Sequence, residues 1–200
     1  TDARTAAAEA AADEYASGSD KQAISRAETT LDRAVASANR LSQNATAQQK
    51  NNAPKAIEDA VKSLNSATDT ANVNSVAARA AAEEAANEAQ QLAAAKESAT
   101  SRLEDYSEAK AESDFTAEEK AAYDQAVTDG KAAINKAVDK EAVAKALTDA
   151  KSAVDDALAK IQEDRADAAD AAAKMEAAEK AVKDAREAAK SFKVDDCDCY

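Results

Sequence analysis

The 200-residue chain carries 39 Asp and Glu against 26 Lys and Arg and contains no His. This acidic balance argues against nucleic acid as a partner, because phosphates require a basic protein surface. Without His, the Ser-His and Cys-His relays and the HExxH zinc site are excluded, and two glycines are too few for a phosphate-binding loop. The composition therefore predicts a protein that is not an enzyme and binds no cofactor or metal.

Alanine dominates the composition, with 60 Ala against 24 Leu, Ile, Val, Phe and Met together. So few large apolar residues with a net charge of −13 are typical of disorder. However, alanine is the strongest helix former, and Gly and Pro are nearly absent. We therefore expect long helices packed through small side chains. No segment approaches the ~20 consecutive apolar residues of a membrane span, and no signal-peptide pattern is present.

The first half of the chain predicts four helices, over residues 3–17, 20–50, 53–68 and 74–113. In the second of them, apolar residues recur at spacings of three and four, as on one face of a helix: Ile24, Ala27, Leu31, Ala34, Ala38 and Leu41. Pro54 is placed in the first turn of the third helix, where proline is tolerated. The Asx and β-branched residues of "ATDTANVNS" predict a turn before the fourth helix.

The second half predicts two more helices, over residues 117–137 and 140–192. Thr116 and Glu119 have the spacing of a capping box, and Asp139 is placed as the cap of the last helix. That helix has apolar residues every seven positions: Leu147, Val154, Ile161, Ala168, Met175, Val182 and Ala189. A second set lies three residues further on, and a strict heptad indicates a left-handed coiled coil.

Asp164 alone breaks the apolar pattern of the second set. It could specify register or oligomeric state, as buried polar residues do in coiled coils, or it could lie where the helix face opens to water. Gly130 likewise has two interpretations, a hinge or ligand opening and a position where a facing helix comes close.

The alternation of long and short helices predicts an elongated all-α rod of antiparallel three-helix bundles joined by shared long helices, as in spectrin-like proteins and coiled coils. In this scheme the chain has an N-terminal alanine-rich helix, a first bundle, a second bundle, a continuing coiled-coil helix and a Cys-containing tail, over residues 1–18, 19–95, 96–162, 163–193 and 194–200.

The stretch "FTAEEKAAYDQAVTDGKAAINKAVDKEAVAKALTDAKSAVDDALAKI" resembles the FIVAR and albumin-binding GA-type three-helix modules of Gram-positive cell-surface proteins. The similarity lies in the A-x-x-x-A repeats, the aromatic Tyr123 in a middle helix and a short polar hairpin before a Val/Ala/Leu helix. It implies an extracellular, non-enzymatic stalk or adhesin-like module on a bacterial cell surface with a protein ligand, and it identifies no ligand-contacting residues.

The tail "KVDDCDCY" contains both cysteines, Cys197 and Cys199. Aspartates and thiolates without His are a poor zinc set, and a Cys-x-Cys ring is strained. A metal or redox site, a disordered end and an interchain disulfide all remain open. A disulfide would suit a parallel coiled coil, in which residues 163–192 pair with a second copy. Self-association as a structural scaffold is thus the alternative to a stalk with a protein ligand.

Overall fold

A computed structural model describes residues 2–191, which form helices joined by short loops. This confirms the predicted all-α class. In chain order the helices are α1 Asp2–Ala12, α2 Gly18–Asn39, α3 Ala47–Lys110, α4 Ala117–Lys136 and α5 Lys140–Ser191. No helix in this part of the chain is long and apolar enough to cross a membrane.

The chain divides into two units, Thr1–Ala89 and Gln90–Tyr200, and the division falls inside α3. The first unit has one hydrophobic core, to which α1, α2 and the first part of α3 all contribute. Its buried side chains are Ala7, Ala10, Ile24, Leu31, Ala60, Leu64 and Ala71. Alanine fills four of these seven positions, so the core is built largely from small side chains, as the composition predicts.

The predicted turn at residues 67–75 is wrong, because α3 is one helix from Ala47 to Lys110. The polar side chains in this stretch are accommodated without a break. Thr68 Oγ1 donates to the carbonyl of Leu64 at 2.8 Å, within the same helix. Asn74 Nδ2 donates to Asp20 Oδ2 at 3.0 Å, across to α2. Packing and these hydrogen bonds outweigh the turn preference of the residues.

The predicted position of Pro54 in a first helical turn is also wrong. Helix α2 ends at Asn39, before the predicted residue 50, and α3 begins at Ala47. Thr46 caps α3 in a reciprocal pair: its N–H donates to Gln49 Oε1 at 2.9 Å, and the N–H of Gln49 donates to Thr46 Oγ1 at 3.2 Å. This capping box starts the helix early and leaves Pro54 inside it.

The second unit has a core from the last part of α3, from α4 and from the first part of α5. Its buried side chains are Ala99, Leu103, Tyr123, Ile134, Val143, Leu147, Ala150, Val154 and Ile161. The predicted capping box of Thr116 and Glu119 is confirmed at the start of α4. The predicted cap of α5 is confirmed as well, since Asp139 Oδ1 accepts from the N–H of Ala142 at 2.6 Å.

Gly130 lies on the buried face of α4. A Cβ at this position would stand 2.6 Å from Ala150 Cβ and 2.9 Å from Leu103 Cδ2. Both distances are shorter than real carbon contacts, so glycine is what allows α4 to lie this close to α3 and α5. The structure favours the packing interpretation of Gly130.

Candidate functional site

An ionic cluster closes one end of the second bundle, where the α3–α4 loop meets α5. Arg165 donates from Nε and Nη2 to the two carboxylate oxygens of Glu119, at 2.8 and 2.7 Å. Its Nη1 donates to Glu112 at 2.7 Å and lies 3.6 Å from Asp114. The guanidinium also lies over the Phe115 ring, 5.7 Å from its centroid. We call Arg165, Glu112, Asp114 and Glu119 the Arg165 cluster.

The Arg165 cluster changes the acidity of its members. Hydrogen bonds from Arg165, and then from the Thr116 backbone, lower the pKa of Glu119 to about 2. The hydrogen bond to Glu119 raises the pKa of Arg165 above its ordinary value. Both groups are therefore charged at neutral pH, and the cluster carries three carboxylates against one guanidinium.

A second polar cluster lies beside the core between α3 and α5. Tyr106 Oη donates to Asp155 Oδ2 at 2.7 Å, and Lys110 Nζ donates to Asp155 Oδ1 at 2.6 Å. The ammonium groups of Lys110 and Lys151 lie 4.9 and 4.8 Å from the centroid of the Tyr106 ring. The hydrogen bonds from Lys110 and Tyr106 lower the pKa of Asp155.

In these clusters the carboxylates of Glu112, Glu119 and Asp155 are occupied by donors from another helix or loop. Asp155, one of a pair of adjacent acids in the sequence, is occupied by Tyr106 and Lys110. Among residues 2–191, no group of three or more His, Cys, Asp or Glu side chains could hold a metal ion. The chemistry of the clusters is that of cross-links between helices.

The apolar heptad of α5 changes environment along the helix. Its first half, including Leu147, Val154 and Ile161, is buried in the second bundle. From residue 166 to residue 191 every side chain is exposed. Met175 is 65% exposed and Val182 is 53% exposed, although both continue the same heptad. We call the exposed heptad positions the C-terminal face: Ala168, Ala171, Met175, Ala178, Val182, Ala185 and Ala189.

The structure places Asp164 between these two halves of α5. Its side chain is exposed and pairs with Lys160, one turn earlier, at 3.0 Å. The role of Asp164 in register or oligomeric state stays a prediction. Cys197 and Cys199 lie outside the described residues, and their disulfide stays a prediction too.

Neither the Arg165 cluster nor the second cluster, formed by Tyr106, Lys110 and Asp155, could be predicted from the sequence. Their members are 45 to 53 residues apart in the chain, so local spacing cannot identify them. Comparison of the chain with protein-family models, with curated proteins and with solved structures finds no match.

Proposed function

We propose that the chain is a non-enzymatic helical stalk or binding module of a bacterial cell-surface protein, elongated in solution and exposed outside the cell. The observation that supports this best is a stretch of helix that contributes no side chain to either hydrophobic core. Residues 76–91 of α3 are exposed on every side, yet the helix continues through them. A helix that spends sixteen residues outside any core is typical of a spacer, and a binding cleft would need walls that this stretch lacks.

Small-angle scattering tests the elongated form of the monomer. A compact protein of 200 residues has a radius of gyration of about 17 Å. We expect a clearly larger radius, because a 64-residue helix such as α3 alone measures about 96 Å. A radius near that of a compact globule would contradict the stalk.

Labelling of intact cells tests the location. Antibodies raised against the purified chain should stain unbroken cells of the source organism, and protease treatment of those cells should remove the signal. Staining that requires cell lysis would contradict a surface location. For the ligand, the resemblance to GA-type modules makes serum albumin the first protein to test, by surface plasmon resonance on the immobilised chain.

A second function, as a self-associating structural scaffold, is favoured by the C-terminal face. An exposed heptad with Met175 and Val182 at its centre is the kind of surface that pairs with another helix. Sedimentation over a range of concentrations should then show a reversible dimer, and a monomer throughout would contradict this function. If the copies pair in parallel, Cys197 and Cys199 can crosslink them, and gel electrophoresis without reductant should then show a covalent dimer that reductant removes.

A further inference from the structure

The apolar heptad of α5 is already used as an interface before residue 166. Leu147, Val154 and Ile161 point into the second bundle, and α3 and α4 cover them. The α3–α4 loop reaches as far along α5 as Arg165, through Glu112 and Asp114. The C-terminal face continues the covered face directly, so a helix that binds it lies in line with α3 and α4.

That position decides the direction of a pairing helix. In a parallel pair in register, the α5 of the second copy would run back along the same face and enter the space of α3 and α4. In an antiparallel pair, the segment of the other copy meets each bundle only at its end, where residues 187–191 lie beside residues 162–166. Because the heptad faces before and after Arg165 coincide, only the antiparallel pair leaves both bundles in place.

We propose that residues 166–191 of two copies pair as a symmetric antiparallel two-helix coiled coil centred between Met175 and Ala178. This inference rests on the self-association proposed above and specifies its partner, direction and register. The two-fold axis makes the interface isologous, so the same surface of each copy is used.

The sizes of the side chains fit this register. Residue numbers that face each other across the axis add to 353, which places each larger side chain opposite an alanine. The facing pairs are Ala168 with Ala185, Met175 with Ala178, and Val182 with Ala171, while Ala189 faces Asp164 at the end of the segment. Large against small lets two helices approach closely, near the lower end of the ~8–10 Å range of interaxial distances.

The charges also favour this register. Beside the core, Lys174 faces Ala181 and Glu179 faces Ala172, so neither of these charges meets a like charge. If the pairing shifted by one heptad toward lower residue numbers, Lys174 of one copy would face Lys174 of the other. If it shifted by one heptad toward higher numbers, Glu179 would face Glu179 in the same way. Like charges directly opposed are unfavourable, so both shifted registers are weaker.

Arg186 adds an attraction that the monomer does not use. Among the described residues it makes no hydrogen bond or ion pair that would occupy it. In the antiparallel register it lies opposite Arg165 of the second copy, whose guanidinium is already bound by Glu119 and Glu112. There it would meet the Arg165 cluster, whose three carboxylates exceed its one guanidinium. The complementary charge is a specific reason why a second copy is the occupant.

The first experiment compares dimerisation of two matched variants by sedimentation equilibrium of the full chain in reductant, from about 1 µM to about 1 mM. Ala178→Glu puts a charge in the centre of the proposed core and should weaken dimerisation more than tenfold. Ala173→Glu adds the same side chain on the outer face and should leave the dissociation constant unchanged. Both sites are exposed in the single chain, so helicity should be equal in both monomers. Equal dissociation constants would overturn the proposal.

A second pair tests the charge contact. Arg186→Glu should weaken the dimer, and Lys180→Glu, the same change of charge on the outer face, should have a smaller effect. The difference between the two variants should shrink at high salt, because screening weakens the contact of Arg186 with the Arg165 cluster. No difference at low salt would overturn that contact.

The direction is measured by spin labels at residue 191, with Ser191→Cys in a chain that carries Cys197→Ser and Cys199→Ser. The antiparallel register predicts about 45 Å between the two labelled backbones, from a rise of 1.5 Å per residue. A separation of about 10 Å, as in a parallel pair, would overturn the antiparallel inference and leave self-association intact. A chain that stays monomeric at every concentration would overturn both.

Discussion

At the scale of single residues, Gly130 is a position where the packing of the second bundle leaves no room for a side chain. Its missing Cβ lets Ala150 and Leu103 close in. We expect Gly130→Ala to destabilise the second unit, because overpacking costs about 1–3 kcal/mol and the gain in helix propensity is only about 1 kcal/mol. Chemical unfolding followed by circular dichroism measures the difference.

Gly18 provides the matched control. A Cβ there would meet nothing within 4 Å, and the residue is the first of α2. Gly18→Ala should be neutral or slightly stabilising. If the two substitutions changed the free energy of unfolding equally, the close approach at Gly130 would have no energetic role.

The ionisation of Glu119 makes the free energy of unfolding depend on pH. Its pKa of about 2 in the folded chain lies below the ordinary 4.5, chiefly because Arg165 donates hydrogen bonds to it. The stabilisation is therefore complete above about pH 4.5 and is lost as the pH falls from there toward 2. We expect the free energy of unfolding of Glu119→Gln to lie below that of the original chain at about pH 7, and the difference to narrow between about pH 5 and about pH 2.

The neighbouring Glu118 serves as the control for this titration. It lies in the same first turn of α4 but makes no ion pair in the part of the chain that the structure describes. Glu118→Gln should leave the acid dependence of stability nearly unchanged. A gap that is the same at every pH for Glu119→Gln would mean that its ion pair with Arg165 has no part in acid unfolding.

At this scale the caps of α4 and α5 could be predicted from the sequence, whereas the cap of α3 at Thr46 and the ionic clusters could not. The capping box at Thr116 and the cap at Asp139 depend on residues three positions apart, and both are confirmed. Arg165 finds its partners on another helix and in a distant loop. Only the packing of α5 against the α3–α4 loop brings those charges together.

At the scale of the elements, Pro54 is a weak point of α3. The ring removes the N–H that would donate to the carbonyl of Lys50 in a regular helix. We expect Pro54→Ala to stabilise the first unit by up to about 3 kcal/mol. Pro54→Gly restores the same N–H but should gain about 1 kcal/mol less, because glycine is a poor helix former. Thermal unfolding and amide exchange near residue 54 measure both variants.

A loss of stability in Pro54→Ala would contradict this account of α3 and would favour a shape of the helix that needs the proline.

The misplacement of Pro54 in the sequence interpretation has a simple cause. Thr46 and Gln49 form a capping box, but these residue types are common throughout the chain. Proline is the more distinctive sequence signal for the start of a helix. In the structure the hydrogen bonds of this capping box determine where α3 begins.

The break predicted at residues 67–75 has a different cause. Polar and β-branched residues there favour a turn when they stand alone. Thr68, however, is buried, and its hydroxyl donates a hydrogen bond to the carbonyl of Leu64. The same stretch contributes Ala71 to the first core. Helical continuity is set by this packing on α1 and α2, which the local sequence does not reveal.

At the scale of the whole molecule, the two cores predict two separate responses to mutation. Leu64 and Leu103 are both fully buried, one in each unit. We expect each Leu→Ala change to cost its own unit about 2–5 kcal/mol. Hydrogen exchange should show lost protection in α1 and α2 for Leu64→Ala, and in α4 and the first half of α5 for Leu103→Ala. Equal losses in both units after either change would contradict separate cores.

The sequence could predict the heptad of α5 but not which part of it is covered. Leu147 and Met175 occupy equivalent heptad positions, yet the first is buried and the second is 65% exposed. The difference arises because α3 ends and α4 begins near the level of Arg165, so neither helix covers α5 beyond it. Helix lengths elsewhere in the chain therefore determine which heptad residues remain available.

The exposed part of α5 also has a consequence for proteolysis. Trypsin must unfold a short stretch of chain to cut it, and a lone helix opens far more easily than a packed one. Lys174, Lys180, Lys183, Arg186 and Lys190 all lie in residues 166–191. Brief digestion of dilute protein should therefore trim the chain from this end and leave a resistant fragment that ends near Arg165. Slower trimming at high concentration would report the paired state directly.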